Sequence, residues 1–159
     1  MARKKIIPDT AVFAALRHIL MTEGQQAASF RAIGRATGLA ATTLVQRFGS
    51  ADAMLVAAMQ DGWDQADAAL LAAAEAAPNS DKGAAILLKA LPPTPPLLTH
   101  PALRDRATAW QGHVIRELTL RLQDGQAAAI LFAAWQGRLM WGRSGARGFA
   151  LKDAVRRLT

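Results

Sequence analysis

Between Ser29 and Met54 the chain has room for two short helices and the start of a third, and the corner Thr37-Gly38-Leu39 governs how the first two meet. Glycine accepts a left-handed backbone at no steric cost, so Gly38 can end one helix and aim the next. Leu39 plugs the corner, Ile33 turns inward from the first helix, and Leu44 and Phe48 turn inward from the second. Thr42, Thr43, Gln46 and Arg47 are left on the outer face. Ser29 is placed to cap the first of these helices, and Ser50, after Gly49, to cap the third. A pair of helices this short must rest on a third element to be stable. The preceding segment supplies one: Pro8-Asp9 opens a helix, Val12, Leu16, Ile19 and Leu20 form one apolar stripe, and Gly24 stops it.

The remaining punctuation is equally helical. A fourth helix runs from about Asp52 without a breaker, except Gly62, to Pro78. The loop Pro78-Asn79-Ser80-Asp81 precedes a short apolar helix, Lys82 to Leu91. Pro92-Pro93-Thr94-Pro95-Pro96 cannot be helical and reads as a stiff extended spacer. Pro101 restarts a helix that continues through Ala102 to Gln123, with Leu103, Ala107, Trp110, Val114, Leu118 and Leu122 on one side. Asp124-Gly125 breaks it. Gln126 to Trp141 is too apolar to be solvated on any broad face. Gly142 to Gly148 is a glycine- and arginine-rich turn, and Phe149 to Leu158 is a final amphipathic helix. Hydrophobic residues make up 52% of the chain, many of them alanine, the strongest helix former, so the expected class is all-α.

Composition narrows the function. There is no cysteine among the 159 residues, which excludes disulfides and thiolate metal sites and suits a reducing cytoplasm. The basic start MARKKIIPDT is not followed by the apolar core of a signal peptide. The most apolar run, Ala127 to Trp135, falls short of the roughly 20 residues of a membrane helix, so a cytoplasmic protein without a membrane partner is expected. The net charge is +7. Up to Gln60 there are seven Lys or Arg against three Asp or Glu, and beyond it twelve against nine, so positive charge is denser around the glycine-cornered pair. A positive balance favours polyanions, because each neutralised phosphate releases counterions.

A short polar helix held at a fixed angle on an apolar tripod is the shape that enters a DNA major groove. On its outer face, Gln46 and Arg47 have bidentate geometry toward adenine and guanine edges, while Thr42 and Thr43 offer a hydroxyl and a methyl. Ser29, Arg31 and Ser50 are candidate phosphate contacts; Arg35 and the arm Arg3-Lys4-Lys5 add charge nearby.

These residues carry a family resemblance. From Asp9 to Ala58 the chain resembles the TetR family of transcriptional regulators: an apolar helix ending in Glu23-Gly24, then Ser29-Phe30-Arg31-Ala32-Ile33, Ala36-Thr37-Gly38-Leu39, Thr43-Leu44, Phe48-Gly49-Ser50 and Met54-Leu55. The resemblance implies an N-terminal three-helix helix-turn-helix DNA-binding domain, here residues 1–50. A C-terminal helical ligand-binding and dimerisation domain would follow over residues 51–159. It also implies a ligand-responsive regulator, a repressor, acting as a homodimer on a double-stranded, palindromic operator. The sequence departs from the family at three places. The family usually has serine at the position of Ala40, tyrosine at that of Val45 and lysine at that of Ala51, the last two usually touching phosphate. Those departures motivate a second reading: a TetR-like ligand-binding or protein-interaction module with weakened or lost DNA binding.

In the second half the large side chains are Trp63, Trp110, Trp135 and Trp141. In an alanine-rich bundle such rings either fill gaps or line a cavity. Trp63, Trp110 and Trp135, with His113 three residues after Trp110, form the candidate pocket for a small, mostly apolar effector. Ala127, Ala128, Ala133, Ala134 and Gly137 let helices approach closely, so residues 126–141 and 149–158 are the expected dimer seam. No nucleophile–base pair, HxxxH, HExxH or strand-borne phosphate loop occurs, so neither an enzyme, a metal site nor a cofactor is expected.

Overall fold

The computed structural model describes residues 7–93, 100–142, 145 and 148–159. The basic arm Arg3-Lys4-Lys5, most of the proline-rich spacer and part of the Gly142–Gly148 turn lie outside the described residues. Among the described residues all regular structure is helical and no strand occurs, as expected for the class. The α-helices are α1 (Asp9–Thr22), α2 (Phe30–Thr37), α3 (Ala41–Phe48), α4 (Ala51–Ala76), α5 (Asp81–Ala90), α6 (Pro101–Leu122), α7 (Gly125–Gly142) and α8 (Leu151–Leu158). A 3-10 turn, Gln25–Ala27, separates α1 from α2.

The chain forms two compact units. The first comprises, of the described residues, 7–64 and 100–104; the second comprises 65–93, 105–142, 145 and 148–159. The first unit takes in the opening turns of α4. The reason is burial: Met54, Leu55, Ala58, Met59 and Trp63 of α4 are withdrawn from solvent in that unit. So are Val12, Leu16, Ile19 and Leu20 of α1, Ile33 of α2, Leu44 of α3 and Leu103 of α6. Full burial of one such aliphatic or aromatic side chain contributes about 1.5–3 kcal/mol. The Phe13 and Phe48 rings meet at 5.7 Å between centroids and join α1 to α3. Arg17 of α1 reaches α4, donating to the Asp61 carboxylate at 2.6 Å and to the Ala58 carbonyl at 2.8 Å.

The second unit packs small residues against a few large ones. Ala66, Leu70, Ala73 and Ala77 of the α4 end, Ala84, Leu87 and Leu88 of α5, and Ala127, Ala128 and Leu131 of α7 are buried. The space that alanines leave is filled by a cluster of rings: Trp110 lies 6.3 Å from both Phe132 and Trp135, and Phe132 lies 5.8 Å from Trp135. Arg121 is 3% exposed. It donates to the carbonyls of Ala74 and Ala77, at 2.8 and 3.1 Å, and to the Glu117 carboxylate at 2.7 Å. A cation thus satisfies carbonyls at the C-terminal end of α4, where the helix dipole is negative. The turn before α5 is equally close. A Cβ on Gly83 would lie 1.7 Å from the Pro78 carbonyl oxygen, so only glycine fits there.

Candidate nucleic-acid interface

The interface is built from its caps upward. The Ser29 hydroxyl accepts from the Ala32 amide at 3.2 Å and starts α2. Gly38 ends α2 in the left-handed region, φ 76° and ψ 10°, with its amide bonded to the Gly34 carbonyl at 2.8 Å. The Thr37 hydroxyl donates back to the Ile33 carbonyl at 2.7 Å and accepts from the Leu39 amide at 3.4 Å, so it holds the corner from both sides. Gly49 closes α3 at φ 77°, and the Ser50 hydroxyl accepts from the Ala53 amide at 3.0 Å to begin α4. Ala40, extended at φ −65° and ψ 141°, occupies the capping position of α3 with no side-chain acceptor.

One contact sets the approach of α2 to the turn. A Cβ on Gly34 would stand 2.6 Å from the Leu39 carbonyl oxygen, closer than real Cβ atoms come to any such atom. Gly34 is buried inside α2 and lets the corner fold directly against the helix. The sequence pattern explained Gly38 and left Gly34 unremarked. Its signal was a glycine in the middle of a short helix, a costly place unless a backbone passes close by.

The outer face of α3 is open. Thr42, Val45, Gln46 and Arg47 are exposed and Thr43 is half-buried. Ser29, Arg31, Arg35 and Ser50 are exposed as well. Arg47 is not a free cation: its Nη1 donates to the Ile7 carbonyl at 2.8 Å and to Asp9 at 3.2 Å, clipping the end of α3 to the start of α1. Asp9 has a second role, that of a negative residue in the first turn of α1. Near the start of α4, Asp52 meets the His100 ring at 3.3 Å, and the other ring nitrogen accepts from the Ala102 amide at 3.3 Å. Accepting there leaves the ring proton on the nitrogen that faces Asp52.

The candidate effector residues fall in both units. Trp63 is buried on α4 in the first unit. Trp110 and Trp135 come together in the second unit with Phe132, and all three rings are closed to solvent. His113 is exposed on α6 and lines a surface groove of about 300 Å³ with Asp67, Leu70, Leu71, Arg116 and Glu117. Phe132 was not singled out from sequence, because in an all-apolar helix no residue stands out by pattern.

No protein-family model matches the sequence, and no curated protein matches it. Solved structures do. A protein from Saccharomonospora viridis, assigned as a transcriptional regulator and crystallised in complex with choline, superposes with a TM-score of 0.71 at 19% identity, covering 94% of this chain and 92% of its own. The multidrug binding protein EbrR, complexed with imidazole, superposes with a TM-score of 0.63 at 21% identity, covering 97% and 96%. At such identity the likeness is one of fold. Among the described residues this chain is all-helical, as expected, and it has the fold of those two proteins.

Proposed function

We propose that this chain is a DNA-binding transcriptional regulator of the TetR type, acting as a homodimeric, ligand-responsive repressor on a palindromic operator. The observation that carries this reading is the Gly34–Gly38 corner. It holds a short helix whose outer residues Thr42 and Gln46 are exposed, with Arg47 beside them paired to Asp9. Arg31, Arg35 and the N-terminal basic residues supply the positive field that duplex DNA requires. Two-fold symmetry through residues 126–141 and 149–158 would place two such helices on successive major-groove turns. Ile130, Met140, Trp141 and Phe149 are large, apolar and exposed along that seam, which supports a second copy there.

The proposed effector is a small, mostly apolar molecule bound among the helices between residues 53 and 141. That one fold neighbour was crystallised with choline and another is a multidrug binding protein is in keeping with it. The effector must favour one arrangement of the dimer over another to act as a switch. The protein is accordingly expected to work in the cytoplasm and to catalyse nothing.

The uncapped Ala40, together with Val45 and Ala51 at positions where the family touches phosphate, favours a second reading: a helical ligand-binding or protein-interaction module that has lost DNA. Mobility-shift titration against the gene's own upstream region separates the two. The regulator gives a saturable, sequence-selective shift that weakens steeply with salt. A protein that binds all duplexes alike, or none at 50 mM salt, is the module.

A further inference from the structure

The face of the second unit formed by α5 and α8 carries a groove of about 410 Å³; its α8 residues belong to the 149–158 segment proposed for the dimer seam, but lie on the side of α8 that packs on α5. Its floor is apolar: Ala85 and Val155 are buried, and Ile86 is 40% exposed. Its walls are cationic. Lys82 and Lys89 stand two turns apart on α5, and Lys152 and Arg156 one turn apart on α8. Among the described residues neither Lys82, Lys89 nor Lys152 has an ion-pair partner, and Arg156 meets Asp153 only at 3.5 Å. Asp81, in the first turn of α5, is the one acidic side chain lining the groove, and Thr159, the last residue, lines it as well.

Two rows of cations facing each other across a hydrocarbon floor repel one another unless an anion lies between them. The volume is that of a small-ligand site, for which roughly 300–1,000 Å³ is usual. We propose that this groove binds a small organic anion with a hydrocarbon body, of the class of medium-chain alkyl carboxylates. The carboxylate sits among Lys89, Lys152 and Arg156, and the chain lies along Ala85, Ile86 and Val155. The site is independent of the aromatic cluster and of DNA binding.

Decanoate, held below its micelle concentration, tests the assignment by isothermal titration into the full chain, with heteronuclear NMR shifts locating the site. Expected is saturable binding at one site with shifts confined to α5 and α8. The double variant K89A/K152A should bind roughly threefold to tenfold more weakly, each exposed charge pair counting for a fraction of a tenfold step. Raising salt from 50 to 500 mM should weaken binding in the native chain more than in the variant. Both lysines are exposed, so the variant folds, and an unchanged circular dichroism melt verifies this. Decyltrimethylammonium, the same chain with opposite charge, should produce no shifts in the groove. The assignment is overturned if decanoate does not saturate, or if its shifts fall on α6 and α7. It is equally overturned if the variant binds as the native chain does, or if the cation binds the groove as well as the anion.

Discussion

Arg47 of α3 donates to the Asp9 carboxylate of α1 at 3.2 Å, and to the Ile7 carbonyl beside it at 2.8 Å. The pair puts a carboxylate next to an arginine on the face proposed to meet DNA. Both side chains are accessible, 28% for Arg47 and 56% for Asp9, so the pair is worth under about 1 kcal/mol to stability. Its larger effect is on a phosphate or a base competing for the same guanidinium. Asp9→Asn should therefore tighten duplex binding severalfold at low salt, with a change in unfolding free energy of about 1 kcal/mol or less. Fluorescence anisotropy with an operator duplex, alongside urea denaturation, measures both. Weaker DNA binding by D9N would mean that Asp9 serves to orient Arg47 and does not compete for it.

Gly34→Ala places a methyl group 2.6 Å from the Leu39 carbonyl oxygen, a backbone atom that cannot move without moving α3. Overpacking of this kind costs about 1–3 kcal/mol. For a chain of this length that lowers Tm by roughly 2–4 °C for each kcal/mol. DNA binding should fall further than stability does, because the corner angle is what presents Thr42 and Gln46. Differential scanning calorimetry and anisotropy on the same sample distinguish the two losses. G34A with native Tm and native affinity would show that the turn has slack.

How much of this was legible in the sequence depends on the range of the contact involved. Ser29, Gly38, Gly49 and Ser50 act within three or four residues of themselves, and their roles were readable from spacing. The sequence puts the break after α6 at Asp124-Gly125; the structure puts the left-handed residue at Gln123, φ 56°, and uses the Asp124 carboxylate to accept from the Gln126 amide at 2.8 Å. The final helix starts at Leu151 and not at Phe149, whose ring remains 42% exposed. Gly34 against Leu39, Arg47 against Asp9 and the joining of Phe132 to Trp110 and Trp135 are packing relationships. Periodicity fixes which face of a helix is apolar but not which neighbour a given atom meets. The same limit left the pocket question open: the tryptophan positions were known, but whether they close on one another is decided in three dimensions.

Arg121→Met tests the buried cation. Removing the guanidinium leaves the Ala74 and Ala77 carbonyls without their donor at the end of α4 and leaves Glu117 unpaired. Loss of one member of a buried pair costs about 3–5 kcal/mol, although Glu117, 30% exposed, recovers part of that through water. A loss of about 2–4 kcal/mol in guanidinium denaturation is expected. R121M/E117Q should be less destabilised than the sum of the single variants, because the two groups share one network. Strict additivity would show that Glu117 contributes nothing to holding Arg121.

Ala40→Ser should restore the missing cap of α3. The backbone at residue 40 is already extended, φ −65° and ψ 141°, as a capping residue requires, and Ala40 is exposed, so the hydroxyl meets no steric obstacle. The gain is about 1 kcal/mol. If the protein binds DNA, the better-ordered helix should also bind more tightly, since less freedom is lost on docking. Urea midpoints and operator titrations on A40S measure the two gains separately. A stability gain without any gain in affinity would assign the cap to folding alone.

The apolar seam gives the test with the largest expected effect. Ile130 is 48% exposed and Met140 71% exposed, both on α7, whose opposite face already buries Leu131, Phe132 and Trp135. A helix buried on one side and apolar on the other must cover the second side or expose a patch that monomers rarely tolerate. I130E/M140E alters only accessible positions, so the single chain should melt as a folded helical protein. Two carboxylates facing their symmetry mates across a two-fold axis would then repel at each turn. Sedimentation velocity should show the native chain as a dimer and the variant as a monomer at micromolar concentration. Because operator affinity depends on both half-sites being held together, the variant should lose tight binding while retaining weak, salt-sensitive contact with any duplex. A native chain that sediments as a monomer at these concentrations would remove the basis for a palindromic operator.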